Sequence, residues 1–211
     1  MVWLGEAQCD VKKKSRSAKE ADPVKRARFQ KKQNQLAVPR LVFLDEYGIH
    51  TGMNRSHARA AKGKRARMKE AFDPKVRLSV VSALSLAGVG ATLTTEGAID
   101  GQVFGQYVEH FLCRELKPND IVIMDNVKFH HNQKILGMIR STGAHVEHLP
   151  AYSPDFNPLE ECISKIKAVL RKKRPPTKRK LENALAKAMN DVTKSDIIGW
   201  FRHCGFSYSL N

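Results

Sequence analysis

The hydrophobic and polar positions divide the chain into two kinds of segment. Up to about residue 93 the apolar residues come in short runs, Leu41-Val42-Phe43-Leu44 and then Leu78, Val80, Val81 and Leu84. Runs of this length, rich in β-branched residues, suit strands. A first strand is expected over 40–46, a return strand over 48–56 through Gly48, a third over 77–86 and an edge strand over 88–93. Consecutive strands with no helix between them suit an antiparallel meander.

After residue 101 the period changes. Val103, Phe104, Tyr107, Val108, Phe111 and Leu112 fall at helical spacing over 102–116. The run Ile121-Val122-Ile123-Met124 has no alternation, which suits a strand covered on both faces, as in a parallel pair. A helix over 132–141 and a strand over 145–149 follow. Asn157 is an N-cap candidate and Pro158 stands at the first helical position. Leu159, Cys162, Ile163, Ile166, Val169 and Leu170 make the apolar stripe of the helix they open. Further helices are expected over 180–192 and 196–202. The fold class is α/β, a mixed sheet flanked by helices.

Charge narrows the function. Lys and Arg number 37 against 21 acids, for a net charge of +16 and a pI near 9.9. Residues 12–40 hold eleven of these cations, 55–77 nine and 165–180 nine. A pI this high with clustered cations is the footprint of a polyanion binder. The first 39 residues are too charged to fold alone and are expected to be a basic arm or linker, with 24–36 becoming helical on DNA. The rest, 40–211, is expected to be one domain. No apolar run is long enough to span a membrane, and the first ten residues lack the pattern of a signal peptide, so an intracellular location is expected. Cys9, Cys113, Cys162 and Cys204 are scattered, which fits no common zinc spacing.

Two strands end in acids, Asp45 after Phe43-Leu44 and Asp125 after Ile123-Met124, and Glu160 heads a helix. Parallel sheets present their ligands outside the carboxyl ends of the strands. If the two strands are parallel neighbours, Asp45 and Asp125 sit side by side. Three converging carboxylates on rigid elements can hold divalent metal for phosphoryl transfer, with water or a DNA 3′-hydroxyl as the attacking group. Each acid also has a structural reading. The aspartates can cap strand ends, and Asn157-x-x-Glu160 matches a capping box. Glu46 is expected to point to the opposite sheet face, and Glu161 to lie about 100° round the helix from Glu160. Lys128 is a candidate DNA phosphate contact. Lys165, Lys167, Arg171 and Lys172 form a basic candidate surface for DNA phosphates, or else a solvated helix face.

Three stretches carry a family resemblance. They are Phe43-Leu44-Asp45-Glu46, Met124-Asp125-Asn126 with His130, and the long run Leu149-Pro150-Ala151-Tyr152-Ser153-Pro154-Asp155-Phe156-Asn157-Pro158-Leu159-Glu160. The sequence resembles the DDE transposases of bacterial insertion sequences in the Tc/mariner superfamily, from about residue 40 to Gly205. The resemblance implies an RNase H-like fold in which Asp45, Asp125 and Glu160 hold two Mg²⁺ or Mn²⁺ ions. For His130 it suggests a DNA contact near the scissile phosphate, with a plain surface imidazole as the alternative. It implies cleavage of double-stranded DNA at the element's terminal repeats and strand transfer into a TA target. It also implies a homodimer on DNA and a bacterial cytoplasmic, nucleoid-associated location. Where such proteins carry helix-turn-helix domains this chain has room only for an arm. The expectation is the catalytic half of a split reading frame, partnered by a helix-turn-helix product from an upstream frame, or a truncated product. A DNA-binding relic without catalysis and an RNase H-like nuclease are the alternatives.

Overall fold

The computed structural model describes residues 19–55, 60–65, 67 and 75–207 of the chain. The first part of the basic arm, with Trp3 and Cys9, lies outside the described residues, as does much of the basic loop between 56 and 74.

The first described element is helix α1, Pro23–Gln33, capped by Asp22. Strand β1 runs Leu41–His50, β2 Arg77–Ser85 and β3 Gly88–Glu96. Helix α2, Gly101–Tyr107, passes through a π turn at Val108–Leu112 into the short α3, Cys113–Glu115. Strand β4 is Ile121–Met124, α4 Gln133–Ser141 and β5 His145–His148. Helices α5, Pro158–Lys173, α6, Lys178–Asn190, and α7, Lys194–His203, complete the fold. The five strands form one sheet in the order β3-β2-β1-β4-β5. The β1–β2 and β2–β3 pairs are antiparallel, and β4 joins β1 and β5 in parallel.

The expected meander is present with different strands. No turn occurs at Gly48. β1 continues through it because Tyr47 and Ile49 keep the inward alternation begun by Leu41 and Phe43, all four being buried. Gly48 is exposed on the other side, with open space where a Cβ would stand. The return strand is therefore β2, and the edge strand expected over 88–93 is present as β3, extended to Glu96.

Each sheet face has its own core. Phe43, Ile123, Leu159, Ile166, Leu181 and Phe201 fill one side, under α5, α6 and α7. Leu44, Val122, Met124, Phe104, Tyr107 and Ile139 fill the other, under α2 and α4. Phe43 meets Phe201 and Phe206 edge-on at centroid distances of 5.4 and 5.2 Å.

Helix α1 is docked on the domain. Its exposed side is basic, but Phe29 and Gln33 are buried on the other side. Phe29 packs on Phe156 at 5.2 Å, the Gln33 amide donates to the Cys204 carbonyl at 2.6 Å, and Arg26 forms a two-pronged pair with Asp155 at 2.9 and 2.6 Å. A helix this charged holds its shape because one apolar stripe is covered. Replacing Phe29 with alanine is expected to cost about 3–5 kcal/mol. Hydrogen exchange should show the loss as faster exchange confined to 23–34 and the Phe156 turn. Unchanged protection of α1 would show that Phe29 does not hold it.

Candidate active site

The parallel pairing of β1 with β4 sets the site. Leu41, Val42 and Phe43 stand opposite Ile121, Val122 and Ile123. Continuing that register by two residues brings Asp45 level with Asp125, at the end of β4 where parallel sheets place their ligands. Asp45 lies within β1 rather than at its end, because β1 runs on beside β2 after β4 has stopped. Glu160 arrives from the first turn of α5. Asp45, Asp125 and Glu160 line one cavity of about 400 Å³ with Asn126, Val127, Asn157 and the loop from Leu149 to Pro154. Tyr152 in that loop is exposed and holds a left-handed backbone, φ 56°.

The end of α5 does two jobs at once. Asn157, buried, accepts the Leu159 N–H on Oδ1 at 3.1 Å as a helix cap and donates its amide to Asp45 Oδ2 at 2.8 Å. The Asn157–Glu160 pair does not close as a capping box, so the Glu160 side chain is exposed at the cavity rather than folded back on the cap. Sequence reasoning had seen the cap and missed the second contact, which depends on β1 lying beside a helix start 112 residues away.

Asp45 also accepts the Glu46 N–H at 2.8 Å. Burial pushes its carboxyl up to about 8, helped by Glu160 and Glu46 and, more weakly, by Asp125, against the Glu46 N–H. A buried carboxyl with three other acids as neighbours is one that a bound cation would hold ionised. The donor set is hard oxygen, which suits Mg²⁺ or Mn²⁺ rather than a soft metal.

A second constellation stands behind the first. His130, 1 % exposed, lies in the 3₁₀ turn Lys128–His131. Its Nδ1 is 2.8 Å from Asp125 Oδ1 and its Nε2 is 3.0 Å from Glu46 Oε1. The ligand atoms of Glu46, Asp125 and His130 lie within 4.8 Å of one another. Burial works to lower the imidazole, but the hydrogen bonds to Asp125 and Glu46 outweigh it and raise His130 to about 9. Burial likewise works to raise Asp125, and the hydrogen bond and charge of His130 hold it below the usual carboxylate range. Glu46 does point to the opposite face from Asp45, and it finds His130 there. His130 is not a surface imidazole. Its ring is enclosed by Phe104 and Phe129 at 4.5 and 4.6 Å, and both nitrogens face carboxylates.

The candidate phosphate contacts separate. Lys128 is exposed beside the site. At 100° per residue Lys167 and Arg171 lie within about 20° of the Glu160 stripe of α5, whereas Lys165 and Lys172 lie about 120–140° away. Lys165 is paired with Asp196, while Lys167 sits 5.7 Å over the Tyr47 ring. The four do not make one surface. The continuous path from Glu160 is Lys167 and Arg171.

Residues 40–182 match the family model of the DDE superfamily endonucleases. No curated protein matches the chain. Solved structures share its fold at low identity. The Mos1 strand transfer complex has a TM-score of 0.69 and 15 % identity, over 93 % of this chain and 62 % of that one. The Mos1 mariner paired end complex with Mn has 0.68 and 15 %, over 94 % and 64 %. The catalytic domain of Mos1 mariner transposase has 0.63 and 13 %, over 86 % and 83 %. The chain thus spans less than two thirds of the Mos1 chains in those complexes.

Proposed function

The chain belongs to the DDE superfamily endonucleases, and on that premise we propose that it is the catalytic part of a Tc/mariner-type transposase. It nicks double-stranded DNA at the terminal repeats of a mobile element and joins the freed 3′-ends to a TA target. The observation that carries this reading is the cavity at the carboxyl ends of two parallel strands, with Asp45, Asp125 and Glu160 on its wall. Residues 40–211 are the catalytic unit, and the basic segment 1–39 is tied to it through α1.

Asp45, Asp125 and Glu160 would hold two Mg²⁺ or Mn²⁺ ions. A pair of such cations stabilises charge on the attacking and leaving oxygens of an in-line displacement. The Mos1 paired-end complex was solved with Mn, which supports the choice of ion. This chain's own part is placement. The β1–β4 pairing fixes the spacing of the two aspartates. Asn157 holds Asp45 by one oxygen. The rigid first turn of α5 brings Glu160 to the rim and carries Lys167 and Arg171 away from it as a phosphate track. Lys128 adds a cation on the other side.

A homodimer on paired ends, a helix-turn-helix partner for end recognition and a bacterial nucleoid location belong to the same reading. Among the described residues no helix is long and apolar enough to cross a membrane.

The test is incubation with DNA carrying the element's own ends, with Mn²⁺, Mg²⁺ or a chelator. Metal-dependent nicks at the ends are expected. Equal cutting of any duplex would indicate a nuclease, and binding without cutting a non-catalytic DNA-binding protein. The phosphate track has its own signature. Replacing Lys167 and Arg171 together with alanine should reduce the slope of log K against log salt by about 2, whereas Lys165→Ala should change it little. Equal effects of all three would show that the track is not confined to the Glu160 stripe.

A further inference from the structure

β1 contributes two adjacent acids, and the alternation of a strand sends them to opposite sides of the sheet. Asp45 faces the cavity with Asn157 and Glu160. Glu46 faces the α2 side, where it meets a buried histidine that also touches Asp125. We propose that Glu46 and His130 form a positioning chain for Asp125, fixing one carboxylate oxygen so that the other is presented to divalent metal. This rests on the metal-centre reading above and deepens it.

Four observations support the chain. First, the His130 ring has no freedom to reorient. It is 1 % exposed and enclosed by Phe104 and Phe129. Second, both nitrogens have carboxylate partners at hydrogen-bond distance, Asp125 Oδ1 at 2.8 Å and Glu46 Oε1 at 3.0 Å. Third, the backbone registers the histidine as well. Nδ1 is 3.3 Å from the Asp125 carbonyl, and His148 Nε2 is 3.4 Å from the His130 carbonyl. Fourth, the contacts on the Asp125 carboxylate fall on Oδ1, which also lies 3.4 Å from the Val127 N–H. Oδ2 is thereby left for the cavity that Asp125 lines.

Asp125 needs such support. It follows the last residue of β4, where the sheet no longer holds the backbone, and its side chain is 45 % exposed. A free aspartate there would turn among rotamers, and each ligating event would have to select one. Partners behind a metal ligand that fix its orientation change metal affinity by about 10–100-fold when removed. The five-residue gap from Asp125 to His130 has a geometric reason. The 3₁₀ turn folds the chain back so that the imidazole lies behind the carboxylate rather than beside it in the cavity.

The probe is Mn²⁺ alone, titrated calorimetrically into the DNA-free chain, with DNA binding in chelator as a check on the fold. Glu46→Ala and His130→Asn should each raise the Mn²⁺ dissociation constant about 10–100-fold. The Mn²⁺ needed for half-maximal nicking should rise by a similar factor, with the saturated rate within about threefold of wild type. Glu46→Gln keeps an accepting oxygen opposite Nε2 and should stay within about threefold in affinity. Should His130→Asn fail to fold, Glu46→Ala decides, since the Glu46 side chain is 20 % exposed and no core is opened.

If Asp125→Asn loses Mn²⁺ while Glu46→Ala and His130→Asn bind within twofold of wild type, the positioning chain is wrong and the metal centre stands. Equal losses in Glu46→Gln and Glu46→Ala would place the effect in charge rather than orientation, which also overturns the proposal. Wild-type protein that binds no Mn²⁺, or binds it regardless of Asp125, overturns both.

Discussion

Asp125→Asn is expected to abolish metal-dependent nicking, by about 10³-fold or more, and to leave DNA binding in chelator intact. Removing one anionic ligand from a two-metal centre withdraws several kcal/mol of transition-state stabilisation, and each 1.36 kcal/mol is tenfold in rate. The substitution is well placed to separate chemistry from fold. Asparagine has the shape of aspartate, and its carbonyl oxygen can still accept from His130 Nδ1, which lies 2.8 Å from the present carboxylate. Asp125 is half-buried at a strand end, so no cavity opens. DNA binding should rise slightly, because one negative charge leaves a surface that must approach phosphates. The measurement is nicking of an end-labelled duplex carrying the element's ends, beside anisotropy of the same duplex in chelator. Nicking within tenfold of wild type would remove Asp125 from the chemistry.

Most of what positions Asp125 was legible in the sequence, and the reasons are local. Ile121–Met124 is apolar at every position, so it had to be covered on both faces, and a strand with that property sits inside a sheet. Asn157 and Pro158 announced the start of α5 through capping chemistry that operates over three residues. The extent of β1 was misread because Gly48 was taken as a turn. Glycine permits a turn without requiring one, and the alternation through Tyr47 and Ile49 decides the matter. The docking of α1 was hidden because its stripe is Phe29 and Gln33 on an otherwise charged helix, and its partner Phe156 is 127 residues away. The Glu46–His130 contact was invisible for a related reason. Alternation told which face Glu46 takes, but only the chain reversal after β4 says what waits there. His130 carried a motif signal and no signal of burial. The basic stripe on α5 was half legible, since Lys165 pairs with Asp196 in a different helix.

The cation-free protein is expected to lose stability as pH rises towards neutrality and above, and Asp45→Asn to reduce that loss. Asp45 is pushed from an ordinary 3.8 up to about 8 by burial and by Glu160 and Glu46. A carboxyl raised in the fold contributes stability that is fully present below its unfolded value and is lost as pH rises through the folded one. The window is therefore pH 4 to 8, and the loss by pH 8 is about 5 kcal/mol. His130, raised from 6.5 to about 9, adds in the same direction over the upper part of the range. Asp125 works the other way, since its carboxyl is held low and its contribution disappears only in acid. In chelator, wild-type Tm should fall from pH 5 to pH 8. Asp45→Asn should flatten that fall and melt above wild type at pH 8, by less than the removed charge alone would give, because its new NH₂ meets a donor, Asn157 Nδ2 or the Glu46 N–H, where the carboxylate accepts. Mn²⁺ should reverse the order, because a cation bound only by the folded state stabilises wild type by mass action and finds one ligand fewer in the variant. A variant that is stabilised without metal and no longer stabilised by it would identify the strain at Asp45 as the electrostatic cost of keeping a metal site ready. Parallel melting curves for the two proteins across pH 5–8 would show that Asp45 carries no such strain.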